Sequence, residues 1–341
     1  MFPTVLTLAK VTGLSRGTVD RVLNGRPGAS PEARERVLAA AATLGYKPNL
    51  IGKSLALQKK PLRIGFILVD SHDPLFLEMR EGMEAAAAEL ASFAVRVDCR
   101  VMARISAAEQ VRCIRALSRG RLAGLALAPL DDPKVAEELD RVVRTTGIPV
   151  ATYNFDPHPE QRLCFVGPDL RKSGRVAAGL LAQLLHGRGT VLVVYGQADV
   201  AANRGRLEGF REEVDLRHPG LRILRTVPEI LGDEDAYRAV SACLAQYPRP
   251  DAIYITSHGT GGVARALREA GAQSTRVACY DLRPDVEALL REGIVDFTLT
   301  QEPFMQGYQP VRVLFDYLFN GRQPADRFLQ TRIAIITREL L

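Results

Sequence analysis

Residues 4–24 read T-V-L-T-L-A-K-V-T-G-L-S-R-G-T-V-D-R-V-L-N, and they decide how the N-terminal part of the chain folds. Thr4 is suited to cap a helix over 5–12, because its short side chain can accept from a first-turn N–H. Gly13 ends that helix, and Ser15 caps a second over 16–23. Val5, Leu8 and Ala9 share one face of the first helix, and Val19, Val22 and Leu23 share one face of the second. After a loop at 24–28, Ser30-Pro31-Glu32 opens a third helix with a cap, a proline at the first position and an acid in the first turn. Val37, Leu38, Ala41 and Leu44 give it an apolar stripe, and Gly45 stops it. Three short helices with a tight turn between the first two predict a helix-turn-helix unit.

Such a unit places its second helix in the DNA major groove, with the N-terminal side chains at base edges. Those positions hold Arg16, Gly17 and Asp20, with Arg21 one turn along. Arginine pairs bidentately with guanine, and aspartate accepts from cytosine. Ser15 and Thr18 are small donors suited to phosphates at the helix start. On pattern alone, a small helical bundle with solvated charges is the alternative.

Charge points the same way. The 341 residues carry 45 basic and 39 acidic side chains, a net +6. Residues 1–63 hold eleven basic and three acidic ones, a net +8, and the remainder is −2. A basic segment on a neutral body is the signature of a polyanion-binding appendage, for nucleic acid or an anionic membrane surface. No run approaches the ~20 apolar residues of a membrane span. Pro3, Thr4 and Thr7 do not read as a secretory signal, so a cytoplasmic protein without a membrane partner is expected. The five cysteines (99, 113, 164, 243 and 279) are scattered and form no C-x-x-C, so buried free thiols are expected, without disulfides or metal.

Next come Y-K-P-N (46–49), L-I-G-K-S-L-A-L (50–57) and Q-K-K-P (58–61). Pro48 breaks the third helix, Asn49 can cap one short further helix, and Lys-Lys-Pro reads as a linker. That helix is too short to be stable alone and needs DNA or a partner chain.

The strings T-L-A-K-V-T-G-L-S-R-G-T-V-D-R-V-L-N-G, S-P-E-A-R-E-R-V-L-A-A-A, L-G-Y-K-P-N and K-S-L-A together resemble the headpiece and hinge helix of the lactose-repressor (LacI) family over residues 4–57. The resemblance implies that Arg16 and Gly17 occupy the main base-reading positions, that Asn24 anchors the loop, and that Leu55 wedges into the minor groove. Gly17 has no side chain to read with, and Asp20 stands where a small hydroxyl is usual in the family.

From Leu62 onward, apolar runs alternate with amphipathic helical stretches. Strands are expected at 62–69, 95–101, 122–128, 150–153, 164–166, 190–195, 221–227, 252–255, 277–280 and 297–300, with helices such as 74–90, 170–185 and 263–270 between them. Alternating strands and helices predict parallel, doubly wound sheets, and so many strands predict two lobes with a cleft at the strands' carboxyl ends. The residues that follow the strands are polar: Asp70 to Asp73, Asn154 and Asp156, Asn203 to Arg206, Thr256 to His258, Asp281 and Gln301. Carboxylates, amides and arginine beside aromatics suit a polyhydroxylated ligand, through paired hydrogen bonds and a flat apolar face.

The strings D-P-L-F (73–76), G-I-P-V-A-T-Y-N (147–154), F-V-G-P-D-L-R-K-S-G (165–174), R-L-E-G-F (206–210), A-C-Y-D (278–281) and T-Q-E-P (300–303) make this body similar to periplasmic sugar-binding proteins of the ribose-binding type. The resemblance implies ligand roles for Asp73, Phe76, Asn154, Arg206, Asp281 and Gln301, with His258 in a loop that departs from the family's Asn-Asp.

The sequence thus predicts an all-α headpiece (1–47), a hinge helix and linker (48–61), and an α/β two-lobed effector and dimerisation domain (62–341). The first lobe is expected over about 62–166 and 302–326, and the second over 167–301 and 327–341. The expected protein is a transcriptional regulator, a repressor, that binds double-stranded operator DNA. It responds to a sugar, polyol or sugar derivative without a cofactor. No heptads follow Ile333–Ile336, so a homodimer is expected. The rivals are a transport receptor and an enzyme. Gly259-Thr260-Gly261-Gly262 matches no phosphate-loop pattern, and Asp70, Ser71 and His72 are merely adjacent, so no catalytic residues are assigned. Leu55→Ala is expected to weaken specific DNA binding more than non-specific binding in a mobility-shift assay. Equal losses would remove the minor-groove wedge.

Overall fold

The computed structural model describes residues 3–23, 28–46, 61–70, 73–197, 200–247 and 249–341. Asn24, Leu55 and the expected hinge helix lie outside these residues. The N-terminal unit consists of α1 (Val5–Thr12), α2 (Arg16–Leu23) and α3 (Pro31–Thr43). Its caps follow the sequence. The Thr4 hydroxyl accepts from the Thr7 N–H at 3.2 Å, the Ser15 hydroxyl from the Thr18 N–H at 3.1 Å, and the Ser30 hydroxyl from the Ala33 N–H at 3.2 Å. Gly13 ends α1 with φ +64°, a conformation that costs glycine little.

Leu8, Val19, Val22 and Val37 form the small core of this unit, with Leu14, Leu23, Ala41 and Tyr46 packed around it. The expected stripe on α3 needs correction, because Leu38 is 50% exposed and Leu44 38% exposed. Successive helical residues are about 100° apart, so burying Val37 turns Leu38 outward. Leu44 lies beyond the last helical turn. Ala40 and Ala41 take the inner positions instead.

The body contains two six-stranded sheets. The first is built from β1 (Leu62–Val69), β2 (Val95–Met102), β3 (Gly124–Leu127), β4 (Val150–Tyr153) and β5 (Cys164–Gly167). The second is built from β6 (Gly189–Val194), β7 (Leu221–Val227), β8 (Ala252–Ile255), β9 (Arg276–Tyr280) and β10 (Phe297–Thr300). Two short strands complete them, β11 (Phe328–Gln330) and β12 (Ala334–Ile336). The orders are β11-β5-β4-β3-β1-β2 and β12-β10-β9-β8-β6-β7. All pairings are parallel except β10 with β12. Strands β3, β4, β5 and β8 are buried throughout, as parallel strands covered on both faces must be.

The first lobe carries α4 (Pro74–Leu90), α5 (Ala107–Ser118), α6 (Pro133–Thr146) and α12 (Pro303–Asn320). The second carries α7 (Leu170–Leu184), α8 (Ala201–Arg217), α9 (Asp233–Gln246), α10 (Thr260–Glu269) and α11 (Pro284–Arg291). Among the described residues no helix is long and apolar enough to cross a membrane.

The lobe boundary expected near residue 327 falls later. Phe328 to Gln330 pair with Phe165 to Gly167 in the first sheet, and only the segment from Ala334 joins the second. The chain therefore passes between the lobes at 168–169, 301–302 and 331–333. The expectation of buried thiols holds for Cys164, Cys243 and Cys279 but not for Cys99, which is exposed, or Cys113, which is half-buried. Cys99 lies on β2, an edge strand of the first sheet, where one neighbouring strand is missing. Burial pushes Cys164 up to about 12 and Cys279 up to about 11.

Each lobe has a helix pair brought into backbone contact by glycine. A Cβ on Gly82 of α4 would lie 2.0 Å from the Phe304 carbonyl oxygen, and one on Gly307 of α12 would lie 1.8 Å from the Met79 carbonyl oxygen. In the second lobe, a Cβ on Gly209 of α8 would lie 1.9 Å from the Arg171 carbonyl oxygen, and one on Gly174 of α7 would lie 2.1 Å from that of Arg206. Backbone cannot yield as a side-chain tip can. Gly307→Ala is therefore expected to destabilise the body by about 3 kcal/mol. Gly179 of α7 has open space around it, so Gly179→Ala should stabilise by about 0.5–1 kcal/mol. Urea unfolding of both variants checks this, and similar effects of the same sign would refute it.

Candidate functional site

The N-terminal unit presents one end of α2 to solvent. Ser15, Arg16, Gly17 and Arg21 are exposed, and Thr18 and Asp20 are half-buried. The Ser15 and Thr18 hydroxyls lie 2.9 Å apart and share a hydrogen bond. Arg21 is turned onto the following loop, where its Nη1 donates to the Gly28 carbonyl at 3.3 Å. Asp20 lies close enough to Tyr46 to matter electrostatically. Burial raises the Tyr46 hydroxyl above its ordinary pKa, and the Asp20 charge adds to the shift.

In the body, polar residues gather where strands of the second sheet run toward the interlobe crossovers. Arg206 sits in the second turn of α8 and is only 5% exposed. Its Nη1 donates to the Thr256 carbonyl at 2.7 Å, and its guanidinium lies 3.7 Å from the centre of the Tyr280 ring. Its Nε has no hydrogen-bond partner among the described residues. Gln301, at the second crossover, is also 5% exposed. Its Nε2 donates to Asp281 Oδ1 at 2.9 Å, and among the described residues its Oε1 has no partner. Arg206, Tyr280 and Gln301 line one tight crevice with Pro168, Thr300 and Ile333, closed to a water-sized molecule in this structure, so residues from all three crossovers meet there. Buried polar groups are ordinarily paired, so an orphaned donor and acceptor in one pocket are what a site for a hydroxyl-bearing ligand would leave open.

A second cavity of about 330 Å³ lies beside it, between Leu75 and Glu78 of the first lobe and Asp281, Arg283, Glu302 and Arg332. Burial raises the Glu78 carboxyl above its ordinary pKa, and the charges of Glu81 and of Asp281 in the other lobe push it further. Arg283 and Arg332 are engaged by Asp285 and Glu302, each at 3.2 Å. A further pair joins the lobes directly, with Arg204 Nη2 3.4 Å from Asp131 Oδ2.

The sequence-derived residues divide. Arg206, Asp281 and Gln301 come together. Asn154 is buried at the end of β4 and has φ +66°, while Asp281 has φ +64°. Both types tolerate this left-handed region better than most, and such strain collects at functional sites. Asp73 caps α4, accepting from the Leu75 N–H at 2.9 Å, and Phe76 packs against the first lobe's core. Their neighbours Leu75 and Glu78 face the cavity instead. His258 is exposed, and among the described residues no hydrogen bond or ion pair ties it to Arg206, Asp281 or Gln301. The glycine run after β8 serves packing: a Cβ on Gly262 would lie 1.9 Å from the Asp233 carbonyl oxygen. Reading of the sequence missed Tyr280 and Glu78. Tyr280 stands beside Asp281 in A-C-Y-D, where a hydroxyl-bearing aromatic at a buried strand end was the available signal.

Known proteins resemble both parts. Residues 5–49 match the bacterial regulatory proteins of the lacI family, and residues 64–323 match the periplasmic binding protein domain. The chain is 29% identical to the HTH-type transcriptional regulator CelR of Thermobifida fusca over 282 residues, 79% of this chain and 78% of that protein. It is 26% identical to the ribose operon repressor of Halalkalibacterium halodurans over 255 residues, 74% of this chain and 71% of that one. A solved periplasmic ribose ABC transporter structure from Conexibacter woesei superposes with a TM-score of 0.75 at 24% identity, over 82% of this chain and 93% of that one. The N-terminal helices and the two-lobed body thus each find their own counterpart: the chain belongs, through its body, to the periplasmic binding protein domain family, and it carries an N-terminal unit that matches the lacI family of bacterial regulatory proteins.

Proposed function

We propose that this transcriptional regulator is a cytoplasmic repressor whose operator affinity is set by a neutral or weakly charged sugar-like ligand bound between the lobes. The observation that carries the reading is the pocket at the crossovers. There Arg206 Nε and Gln301 Oε1 are buried without partners beside the aromatic face of Tyr280. A ligand hydroxyl can accept from the first and donate to the second. The ribose operon repressor among its relatives supports a sugar as the effector.

On this reading Arg206, Asp281, Gln301 and Asn154 hold the ligand, with Asp73, Phe76 and His258 at its margins. Arg16, Gly17, Asp20 and Arg21 face bases, Ser15 and Thr18 face phosphates, Asn24 supports the loop, and Leu55 enters the minor groove. Two bodies associate so that paired headpieces meet a pseudo-palindromic site. Ligand binding changes the angle between the lobes and so the population able to dock both headpieces. By linkage, ligand and operator alter each other's affinity by the same factor.

A thermal-shift screen with sugars, polyols and sugar acids tests the ligand class, since a ligand of the folded state raises its melting temperature. Arg206→Ala and Asp281→Ala are each expected to abolish the response to the sugar found, while binding to operator fragments selected from genomic DNA persists. Unchanged ligand affinity by calorimetry in both variants would reject the pocket. Removing residues 1–61 should abolish DNA binding and leave ligand binding intact. A transport receptor would lose no activity on that deletion.

A further inference from the structure

Beneath Arg206 lies a run of buried hydroxyls that the ligand reading does not use. Tyr254 and Tyr280 stand side by side at the ends of β8 and β9, both fully buried. Their hydroxyl oxygens are 2.9 Å apart. Tyr280 donates to Ser173 Oγ at 3.2 Å, and Ser173 donates to the Leu170 carbonyl at 2.8 Å, in the first turn of α7. Each hydroxyl has one hydrogen to give. With Ser173 and Tyr280 committed, the hydrogen of Tyr254 faces two acceptors, the Tyr280 hydroxyl at 2.9 Å and the Arg206 carbonyl at 3.4 Å. The run thus joins both tyrosines through Ser173 to the backbone of α7, and Tyr254 also touches the backbone of α8 at Arg206.

This run fixes the Tyr280 ring at both its ends: the strand holds the backbone, and Ser173 holds the hydroxyl. Tyr254 is itself wedged against Phe210, with ring centres 4.3 Å apart and an interplanar angle of 12°. The ring so fixed is the surface on which the Arg206 guanidinium lies, 3.7 Å from its centre. A planar guanidinium over a desolvated aromatic face has its plane and position set by that face. The Thr256 carbonyl fixes Nη1, leaving Nε as the buried donor without a partner.

We infer that Tyr280, anchored through its hydroxyl by Ser173 and backed by Tyr254, is a positioning residue that orients Arg206 for the ligand. The inference rests on the reading of Arg206 as a ligand-binding residue. It goes further in assigning that residue's geometry to a hydroxyl-anchored ring rather than to Arg206's own helix. Its corollary is that ring and anchor make separable contributions, the ring supplying the platform and the anchor its rigidity.

The test uses the full-length protein. The Nε–Hε proton of Arg206, followed by ¹H–¹⁵N correlation, should be shifted upfield by the Tyr280 ring current and exchange slowly with water. The shift should be lost in Tyr280→Leu and reduced but still present in Tyr280→Phe, which keeps the ring without its hydroxyl anchor. In Ser173→Ala, which keeps the ring but frees its edge, the shift should shrink and exchange should quicken. Calorimetry with D-ribose, D-xylose and D-galactose forms the second arm. The sugar that binds the wild type should bind about tenfold more weakly to Tyr280→Leu and regain most of that affinity in Tyr280→Phe. Should Tyr280→Leu fail to fold, Ser173→Ala and Tyr280→Phe decide the matter. An Arg206 Nε–Hε signal that is unchanged in Ser173→Ala, or that is unshifted in the wild type, overturns the inference. So does equal sugar affinity in the wild type and Tyr280→Leu. If no sugar binds the wild type, the ligand reading falls, while the resonance comparison still decides whether Tyr280 orients Arg206.

Discussion

The body depends on the close crossing of α4 and α12. The chain leaves the first lobe at 168–169 and builds nearly all of the second. It then returns at 301–302 to place α12 against the helix that follows the first strand. Gly82 and Gly307 let these helices touch backbone to backbone, so the returning helix is locked in depth as well as in angle. That lock fixes the start of α12 and hence the crossover before it. Gln301 lies in that crossover, and the buried Gln306 of α12 donates to its carbonyl at 2.8 Å. The contact between Gln301 and Asp281 is therefore a contact between the seam of the molecule and the second lobe. A helix crossing well outside the pocket decides where a pocket side chain stands.

Between the lobes the balance of charge is fine. Arg204 and Asp131 attract across the gap, but both are nearly half exposed, which holds such a pair to about 0–1 kcal/mol. Glu78 and Asp281 repel across the cavity, and burial amplifies the discomfort of Glu78. A molecule that rewards one lobe angle by a few kcal/mol can then set the population, as a regulator of this kind requires.

Much of this was legible in the sequence. The first ten strands of the body could be placed because most are short apolar or alternating runs between helical stretches, and polar residues beyond several of them led to Arg206, Asp281 and Gln301. Caps such as Thr4, Ser15 and Ser30 fixed the helix starts. What escaped had physical reasons. Strands β11 and β12 have three residues each and no fully buried position, too short for any period to show. Asp73 reads equally well as a ligand group or a cap, and the fold shows the cap, with its Oδ1 accepting from the Leu75 N–H. The role of Tyr280 arises from Ser173, 107 residues away, a pairing that only the packed fold creates.

The left-handed backbone at Asn154 and Asp281 has a consequence for how the protein can change over time. A β-branched or bulky residue at either position would carry the strain of that conformation, so few replacements besides Gly, Asn and Asp are open to them. Ser257 and His258 stand on a loop that is half-buried to exposed, with φ outside that region. Substitution is therefore cheap at 257 and 258 and expensive at 154 and 281. Lineages that share this body should keep the strained pair while they diversify the loop beside it.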